Sequence, residues 1–542
     1  MGNTISAYQT SECEVKLPEA KGSIKGLQFD SKSRRFANVA YGLPPTGERR
    51  WRKPQALPES YSYSTPEGPF DATTFGQVCL QPNYSASVKK QIPQHNYGED
   101  CLRLNIWTPV PKDDSSAPSK WPVMVWFHGG WFQMGDPSNE ASMDPTELIS
   151  TGGLNAVFVA VGYRLNVFGF LAGAPLQDES PDGAVGNYGL WDQRLAMDWV
   201  YENISAFGGD PENITLSGRS AGAYAVQAQT LYDFRGALDE PSKNRFHRLV
   251  MYSNAIPAQP KTPEDCQPQF EELCSYFNIP STASGAGQLQ RLREIDAKDL
   301  CSAIMNLKHH TFRPVTDGVF IHPGIFEYYR DGSFSREFKR RNLRILIGEV
   351  LNEETLYAVT NGPDASLESL KTQISNYYSP STTARLLQHY PLPTASTEKK
   401  DWEAVFGKIV SDGQVRAPSR FLVNNLLENG VDISDVWRYV IAYRLSFITD
   451  KVAPASFGVS HAMDRPFWNY SIMHGPTEEE GQLMHSWIQD LVAFVNDDRG
   501  YVYGTKSADE VKVATKEGKI EIQNDTRWKE LLELMDVFAG SN

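Results

Sequence analysis

The sequence predicts an α/β fold in which a mostly parallel central sheet carries helices on both faces. Two observations support this prediction. Short, continuously apolar and often β-branched runs recur along the chain, and such runs are typical of parallel strands buried on both sides. Segments with helical spacing of apolar residues separate these runs, and an alternation of strands and helices is characteristic of a doubly wound sheet.

Six segments are predicted to be strands of this sheet. Each is a short apolar run without the regular polar alternation of a half-exposed strand. In chain order they are PVMVWF (122–127), AVFVAVGYRL (156–165), NITLS (213–217), RLVMYS (248–253), RILIGEV (344–350) and DVWRYVIAYRL (435–445).

Two intervening segments show the clearest helical pattern. DQRLAMDWVYENI (192–204) places Leu195, Trp199 and Ile204 on one stripe. TEEEGQLMHSWIQDLVAFV (477–495) begins with Thr477 and Glu480, which have the spacing of a capping box. Residues 366–429 are richer in helical and polar stretches than in strands, so a helical cap or lateral insertion is expected there.

The overall charge excludes one large class of function. The 542 residues carry a formal net charge of −14, whereas a nucleic-acid-binding protein concentrates Lys and Arg to neutralise phosphates. No apolar run approaches the roughly 18 residues that a membrane span needs. The chain also has no C-x-x-C pair, no H-E-x-x-H, no Walker loop and no G-x-G-x-x-G.

The first residues, MGNTISAYQTSECEVKL, have neither the positive start nor the apolar core of a secretory signal. They match M-G-x-x-x-[ST], so Gly2 is a candidate for N-myristoylation. One acyl chain anchors a protein only marginally, and no polybasic patch follows it. The expected location is therefore cytoplasmic, with weak peripheral membrane association through the acyl chain.

The stretch ITLSGRSAGAYAV (214–226) carries the strongest chemical motif. Ser220 lies between Gly218 and Gly222, at the predicted junction of a strand with a helix that starts at Ala221. Small neighbours permit the sharp turn of a nucleophile elbow, and the amino end of a helix favours a developing anion. A tight turn with a purely structural serine is the alternative; the strand–turn–helix context favours catalysis.

A serine nucleophile needs a base and a carboxylate that orients the base, in the chain order serine, acid, histidine for this type of elbow. Glu349, Glu353 and Glu354 follow the strand RILIG and are candidates for the acid. The residues alone do not select the base, because eight histidines lie downstream of Ser220: His247, His309, His310, His322, His389, His461, His474 and His485.

From about residue 12 onward the chain resembles the type-B carboxylesterase family, which includes fungal carboxylesterases and lipases and, more distantly, cholinesterases and the non-catalytic neuroligins. The segments that carry the resemblance are YGLPPTGERRWRKPQ, EDCLRLNIWTP, PVMVWFHGGWFQMG and GNYGLWDQRLAMDWVYENISAFGGDPENITLSGRSAGA. It implies an α/β-hydrolase fold, with residues 1–11 as a tail and residues 12–542 as a single domain.

Carried over position by position, the resemblance implies a catalytic triad. Ser220 matches the nucleophile, Glu353 in ILIGEVLNEETLY the acid, and His461 in FGVSHAMDRPFW the base. Glu349 and Glu354 then become solvated loop carboxylates. The backbone amides of Gly130, Trp131 and Ala221 match the oxyanion hole. The implied reaction is hydrolysis of a small-molecule ester through an acyl-enzyme, without a cofactor or a metal.

The resemblance also implies a disulfide between Cys79 and Cys101. The missing secretory signal argues against an oxidising compartment, so buried free thiols are an equally good expectation.

Two residues depart from the family pattern. Arg219 stands where the family commonly has Glu. It either disfavours cationic groups near the site or pairs with a carboxylate beneath the elbow, and we favour the pairing. Trp131 follows HGG where many relatives have a small residue. Its indole either narrows the substrate pocket or points away into the core.

Three functions are compatible with these residues. Ester hydrolysis is favoured because all three triad positions are filled. The same acyl-enzyme could transfer its acyl group to another acceptor or act on a specialised metabolite. A catalytically inactive, neuroligin-like binding protein is disfavoured because such relatives typically lose the nucleophile.

Overall fold

The computed structural model describes residues 8–18, 20–82, 97–111, 120–138, 144–235, 245–394 and 397–540. Its central element is a thirteen-stranded sheet with the strand order β1-β2-β3-β7-β9-β8-β10-β11-β12-β13-β14-β15, in which β4 pairs with β2. The pairs from β9 to β14 along this order are all parallel, and the outer pairs β1–β2, β2–β3, β3–β7, β7–β9 and β14–β15 are antiparallel. The predicted mostly parallel sheet is confirmed.

The strands are β1 (Thr10–Lys16), β2 (Ser23–Phe29), β3 (Ser33–Ala40), β4 (Phe70–Asp71), β5 (Val78–Cys79), β6 (Tyr97–Gly98), β7 (Arg103–Pro109), β8 (Trp121–Phe127), β9 (Val157–Val161), β10 (Gly209–Arg219), β11 (Arg248–Tyr252), β12 (Arg344–Val350), β13 (Val436–Ile441), β14 (Glu510–Ala514) and β15 (Ile520–Asn524).

The α-helices are α1 (Thr146–Ile149), α2 (Asn166–Phe170), α3 (Ala174–Glu179), α4 (Tyr188–Asn203), α5 (Ala221–Arg235), α6 (Pro263–Tyr276), α7 (Gly285–Glu294), α8 (Ala297–Ala303), α9 (Ile325–Arg330), α10 (Ser333–Arg340), α11 (Glu354–Val359), α12 (Leu367–Ser375), α13 (Pro380–His389), α14 (Lys399–Ser411), α15 (Ala417–Glu428), α16 (Arg465–Trp468), α17 (Glu478–Val495) and α18 (Trp528–Ala539). A π-helical turn, Asp412–Arg416, joins α14 to α15.

All six predicted strands form, and two of them are shorter than the apolar pattern suggested. The second ends at Val161: the Gly162 amide still donates to the Arg103 carbonyl of β7, and the chain then turns so that Arg164 forms a buried ion pair with Asp192. The last runs only over Val436–Ile441. Apolar character therefore located the strands but not their ends, which tertiary contacts set.

Strand β11 shows how the sheet separates two cores. Leu249 and Met251 pack into one buried cluster together with residues of α4 and α5, whereas Val250 and Tyr252 pack into the other together with residues of α17. Since successive strand residues point to opposite faces, helices cover both faces of the sheet. This double coverage explains why the parallel strands are continuously apolar.

The predicted capping box is present at the start of α17. The Thr477 side chain accepts a hydrogen bond from the Glu480 amide, and the Glu480 carboxylate accepts one from the Thr477 amide. Residues 366–429 form four α-helices and the π-helical turn, as expected for the lateral helical region. None of the described helices combines the length and the apolar composition that a membrane crossing requires.

Candidate active site

Ser220 lies at the sharp turn between β10 and α5. Its φ of 54° is in the left-handed region, which is strained for a residue with a side chain, and its amide donates to the Tyr252 carbonyl at 2.7 Å. The turn requires glycine at position 222, because a Cβ atom there would lie 1.9 Å from the Phe127 carbonyl oxygen. The predicted elbow is therefore present, with the serine hydroxyl at its apex.

Glu353 and His461 meet beside this elbow, although they lie 108 positions apart in the sequence. Glu353 follows β12 and its carboxylate is fully buried; His461 follows β13 and is buried as well. Nδ1 of His461 is hydrogen-bonded to Oε2 of Glu353, and Oε1 of Glu353 accepts from the Val350 amide at 3.0 Å. A carboxylate on Nδ1 fixes the tautomer in which Nε2 can accept a proton.

Tyr357 lies beside the base and the nucleophile. Its hydroxyl is 3.4 Å from Nε2 and 3.5 Å from Nδ1 of His461, and it lies near Ser220. Burial raises the pKa of this phenol well above its usual range, so the hydroxyl stays protonated at neutral pH. No direct Ser220–His461 hydrogen bond forms within the described residues; catalytic hydrogen bonds are often long before substrate binds.

Tyr357 was not predicted from the sequence as a residue of the site. A signal was available, because Tyr357 follows Glu353 by four positions and Glu353 precedes helix α11 directly. Residues four apart on a helix lie on the same face. A tyrosine one turn after the acid lies on the same side of the helix as the acid. Because the acid contacts the base, the assignment of Glu353 also indicated Tyr357 as a neighbour of the base.

The oxyanion segment lies against the elbow. A Cβ atom on Gly129 would be 3.1 Å from the Ser220 Cβ, and Gly130 and Trp131 have φ of 114° and 57°. Neither of these two residues nor Ala221 donates its amide to another backbone group in the described part of the chain. Three unused amide donors around a serine fit the predicted oxyanion hole.

The indole of Trp131 faces the active site. Its ring meets the edge of the Tyr357 ring at a centroid distance of 6.4 Å, and the side chain is only half-buried. Of the two alternatives, the structure therefore supports the one in which Trp131 narrows the substrate pocket.

Arg219 points beneath the elbow and not toward the substrate. Its guanidinium forms an ion pair with the carboxylate of Asp464 and lies 5.1 Å from the centre of the Tyr252 ring. Asp464 is fully buried and also accepts from the Tyr439 hydroxyl and the Trp468 indole, both at 3.2 Å. The favoured pairing of Arg219 with a carboxylate beneath the elbow is confirmed. Because Asp464 compensates the charge of Arg219, this charge does not face the substrate.

Because this ion pair is buried, we expect Asp464→Ala to lower the free energy of unfolding by about 3–5 kcal/mol, since it leaves the Arg219 charge uncompensated. Urea unfolding followed by tryptophan fluorescence measures the loss. As a matched control, Asp182→Ala removes an exposed partner of Lys53 and should cost less than about 1 kcal/mol.

The double variant Arg219→Leu/Asp464→Leu should recover much of this stability, because no unpaired charge remains in the apolar surroundings. A double variant that is as unstable as Asp464→Ala would contradict this account of the pair.

The expectation for Glu349 is wrong. Glu349 is not a solvated loop carboxylate: it is buried in β12 and forms a two-pronged ion pair with Arg420, with bonds of 2.5 and 2.8 Å. The partly exposed Glu354 pairs with Arg416 at 2.5 Å. The sequence near the two glutamates could not show these ion pairs, because Arg416 lies in the distant π-helical turn and Arg420 lies in α15.

Cys79 and Cys101 lie side by side as buried free thiols. A hydrogen bond from Cys79 and burial both raise the pKa of Cys101 well above its usual value. The disulfide implied by the resemblance is not formed here, whereas the expectation of buried thiols is met. Gly2, the candidate acylation site, lies outside the described residues.

Comparison with known proteins agrees with this geometry. The sequence profile described as "Carboxylesterase family" matches residues 10–533. The chain is 37% identical to an uncharacterised esterase/lipase of Schizosaccharomyces pombe over 97% of each chain. It is 33% identical to a carboxylic ester hydrolase of Gibberella moniliformis over 94% of each chain. It is also 27% identical to the acetylcholinesterase of Bungarus fasciatus, over 88% of this chain and 77% of that one.

Proposed function

This chain belongs to the carboxylesterase family and is a carboxylic ester hydrolase, and we propose that it cleaves its substrates through an acyl-enzyme on Ser220. The observation that carries the proposal is the convergence of an elbow serine, a carboxylate-bound histidine and three unused amides. These groups are the nucleophile, the oriented base and the oxyanion donors that acyl transfer requires.

In the proposed reaction, Nε2 of His461 removes the Ser220 proton as the hydroxyl oxygen attacks the ester carbonyl carbon. Glu353 holds Nδ1 and stabilises the imidazolium that forms. The amides of Gly130, Trp131 and Ala221 stabilise the carbonyl oxygen as it becomes negative, and each well-aimed donor is worth about 3 kcal/mol.

The first half ends when the tetrahedral intermediate collapses: its bond to the alcohol oxygen breaks, His461 gives its proton to the departing alcohol, and the acyl-enzyme remains. In the second half His461 removes a proton from water as the water attacks the acyl carbon. Collapse of the second tetrahedral intermediate releases the acid and returns the proton to Ser220. Tyr357 lies beside both the serine and the imidazole side chains.

The test is hydrolysis of a panel of 4-nitrophenyl esters of increasing acyl length, with release of nitrophenolate followed at neutral pH. The proposal predicts saturable turnover by the wild-type protein and a best chain length that reflects the narrowing by Trp131. Absence of turnover across the panel would contradict it and favour a binding function.

Transfer of the acyl group to another acceptor is the second candidate, since the same acyl-enzyme serves both reactions. Product analysis with added methanol separates the two. Hydrolysis predicts that the free acid remains the main product, while transfer predicts that the methyl ester dominates at modest methanol concentrations.

We keep the cytoplasmic location, with a Gly2 acyl chain as a weak membrane anchor, as part of this proposal. It is supported by the M-G-x-x-x-[ST] match. The intact mass of protein co-expressed with an N-myristoyltransferase tests it: a myristoyl adduct lost in Gly2→Ala supports acylation, and an unchanged mass contradicts it.

A further inference from the structure

A small cavity lies close to the triad but contains none of its residues. Its volume is about 30 Å³, which is room for roughly two water molecules or one carboxylate group. The polar residues that matter for its chemistry are Lys261, Arg313, Tyr377 and Gln414.

Two cations line this cavity, and among the described residues neither forms an ion pair with a carboxylate. Arg313 donates to Oε1 of Gln414 at 2.9 Å, and its guanidinium lies 4.9 Å from the centre of the Tyr377 ring. Lys261 donates its Nζ to the backbone carbonyl of Ser375. Within the described residues, neither side chain takes part in an ion pair with a carboxylate.

The two cations also act on each other. Burial is the main cause that lowers the pKa of Lys261 from its usual value, and the positive charge of Arg313 adds to it, whereas Cys266 and the Asp265 carboxylate oppose it. Placing two like charges in a confined, partly dehydrated space is unfavourable unless an anion joins them. A positive cavity is conspicuous in a chain whose formal net charge is −14.

The backbone that lines the cavity at Gln414 is π-helical. Gln414 sits in the π-helical turn Asp412–Arg416, and its carbonyl accepts from the Ala255 amide at 3.0 Å. Its side chain holds Arg313 through Oε1 and donates through Nε2 to the Tyr378 hydroxyl at 3.1 Å. Single π-helical turns inside helices occur frequently at functional sites.

Aromatic side chains link the cavity to the nucleophile. Tyr377 lies beneath Arg313. Burial raises the pKa of Tyr377 to about 12, and the neighbouring Arg313 and Trp131 partly oppose this increase. Trp131 meets Tyr357, which lies near Ser220. On the other side, Tyr224 lines the cavity and follows Ser220 by one helical turn. The cavity therefore lies next to the aromatic side chains that surround the reacting groups.

We propose that Arg313 and Lys261 form a carboxylate-binding subsite of the active site, and that the preferred substrates are esters carrying a second, ionised carboxyl group. Guanidinium and ammonium groups are the side chains that bind carboxylates most strongly. The volume accommodates the carboxylate itself, and the rest of the substrate then extends toward Ser220. This inference rests on the proposed function, because it names the substrate class of the same site.

Two pairs of substrates test it, each pair matched in size and differing in charge. 4-Nitrophenyl hydrogen adipate is compared with 4-nitrophenyl hexanoate, which places the carboxylate on the acyl side. 4-Acetoxybenzoate is compared with 4-acetoxybenzamide, which places the carboxylate on the alcohol side. The readout is the ratio of kcat/KM for the charged ester to that for the neutral ester, since this ratio is independent of the amount of active enzyme.

In Arg313→Gln we expect this ratio to fall by about tenfold or more for the pair whose carboxylate reaches the subsite. Lys261→Met should lower the same ratio. The matched control is Arg235→Gln: Arg235 also lies over a tyrosine, 5.0 Å from the Tyr328 ring centre, but does not line the cavity. Its ratio should equal that of the wild type.

A wild-type ratio unchanged in Arg313→Gln for both pairs would overturn the inference while leaving ester hydrolysis intact. If the wild type hydrolyses no ester at all, the proposed function fails instead. Titration calorimetry with adipate then decides the subsite separately: binding lost in Arg313→Gln but kept in Arg235→Gln supports it, and equal binding by all three proteins overturns it.

Discussion

Replacing Ser220 by alanine is expected to lower kcat for 4-nitrophenyl esters by about 10⁴–10⁶-fold, with the fold unchanged. The hydroxyl is the only group at the apex of the elbow that can form the acyl-enzyme. Alanine fits the same backbone with one atom fewer. Ester hydrolysis measured at saturating substrate, with circular dichroism to confirm folding, gives the result.

Ser217 provides the matched control, because it lies on the same strand and is also buried. Its hydroxyl donates to the Val125 carbonyl at 2.7 Å and takes no part in the chemistry. Ser217→Ala should change kcat by no more than a few-fold. His461→Ala should lose about as much activity as Ser220→Ala, and the double variant little more, since the two residues act as one unit.

The second large effect is expected from Glu353→Gln, which should lower kcat by about 10⁴-fold with little change in KM. The amide has nearly the shape of the carboxylate and can still accept from the Val350 amide. It carries no charge to stabilise the imidazolium, and it can hold His461 in the wrong tautomer. A fall in kcat at constant KM indicates that stabilisation of the transition state is lost. Weaker binding of the substrate would raise KM instead.

The neighbouring Glu354→Gln is the control for this experiment. Glu354 is partly exposed and pairs with Arg416, so its loss should cost at most a few-fold in activity. If Glu354→Gln were the inactive variant and Glu353→Gln were active, the assignment of the acid would be wrong.

Much of the fold was predictable because burial on both faces leaves a direct mark on composition. The strands β8, β11 and β12 and the second half of β10 are mainly apolar and buried, and each was located from its apolar run. The ends of β9 and β13 were not predicted correctly, because they depend on contacts with residues far away in the sequence. Arg164, which pairs with Asp192 just beyond the end of β9, is an instance of this.

The site was predictable in part. Ser220 could be recognised from its local motif, since the elbow is built from neighbouring residues. Glu353 and His461 could not be selected by local chemistry, and family resemblance supplied them. Asp464, the partner of Arg219, lies 245 positions away, and no local pattern reports such a pairing. The burial of Glu349 was not predicted for the same reason, since its partner Arg420 is also distant in the sequence.

The most direct test of the account is to find where a phosphorylating serine-hydrolase inhibitor attaches. Wild-type protein treated with diethyl 4-nitrophenyl phosphate is digested, and the modified peptide is sequenced by mass spectrometry. We predict one diethylphosphoryl adduct, on Ser220, which is absent from Ser220→Ala and greatly slowed in His461→Ala. An adduct on another residue, or equal labelling of Ser220→Ala, would contradict an activated nucleophile at this elbow.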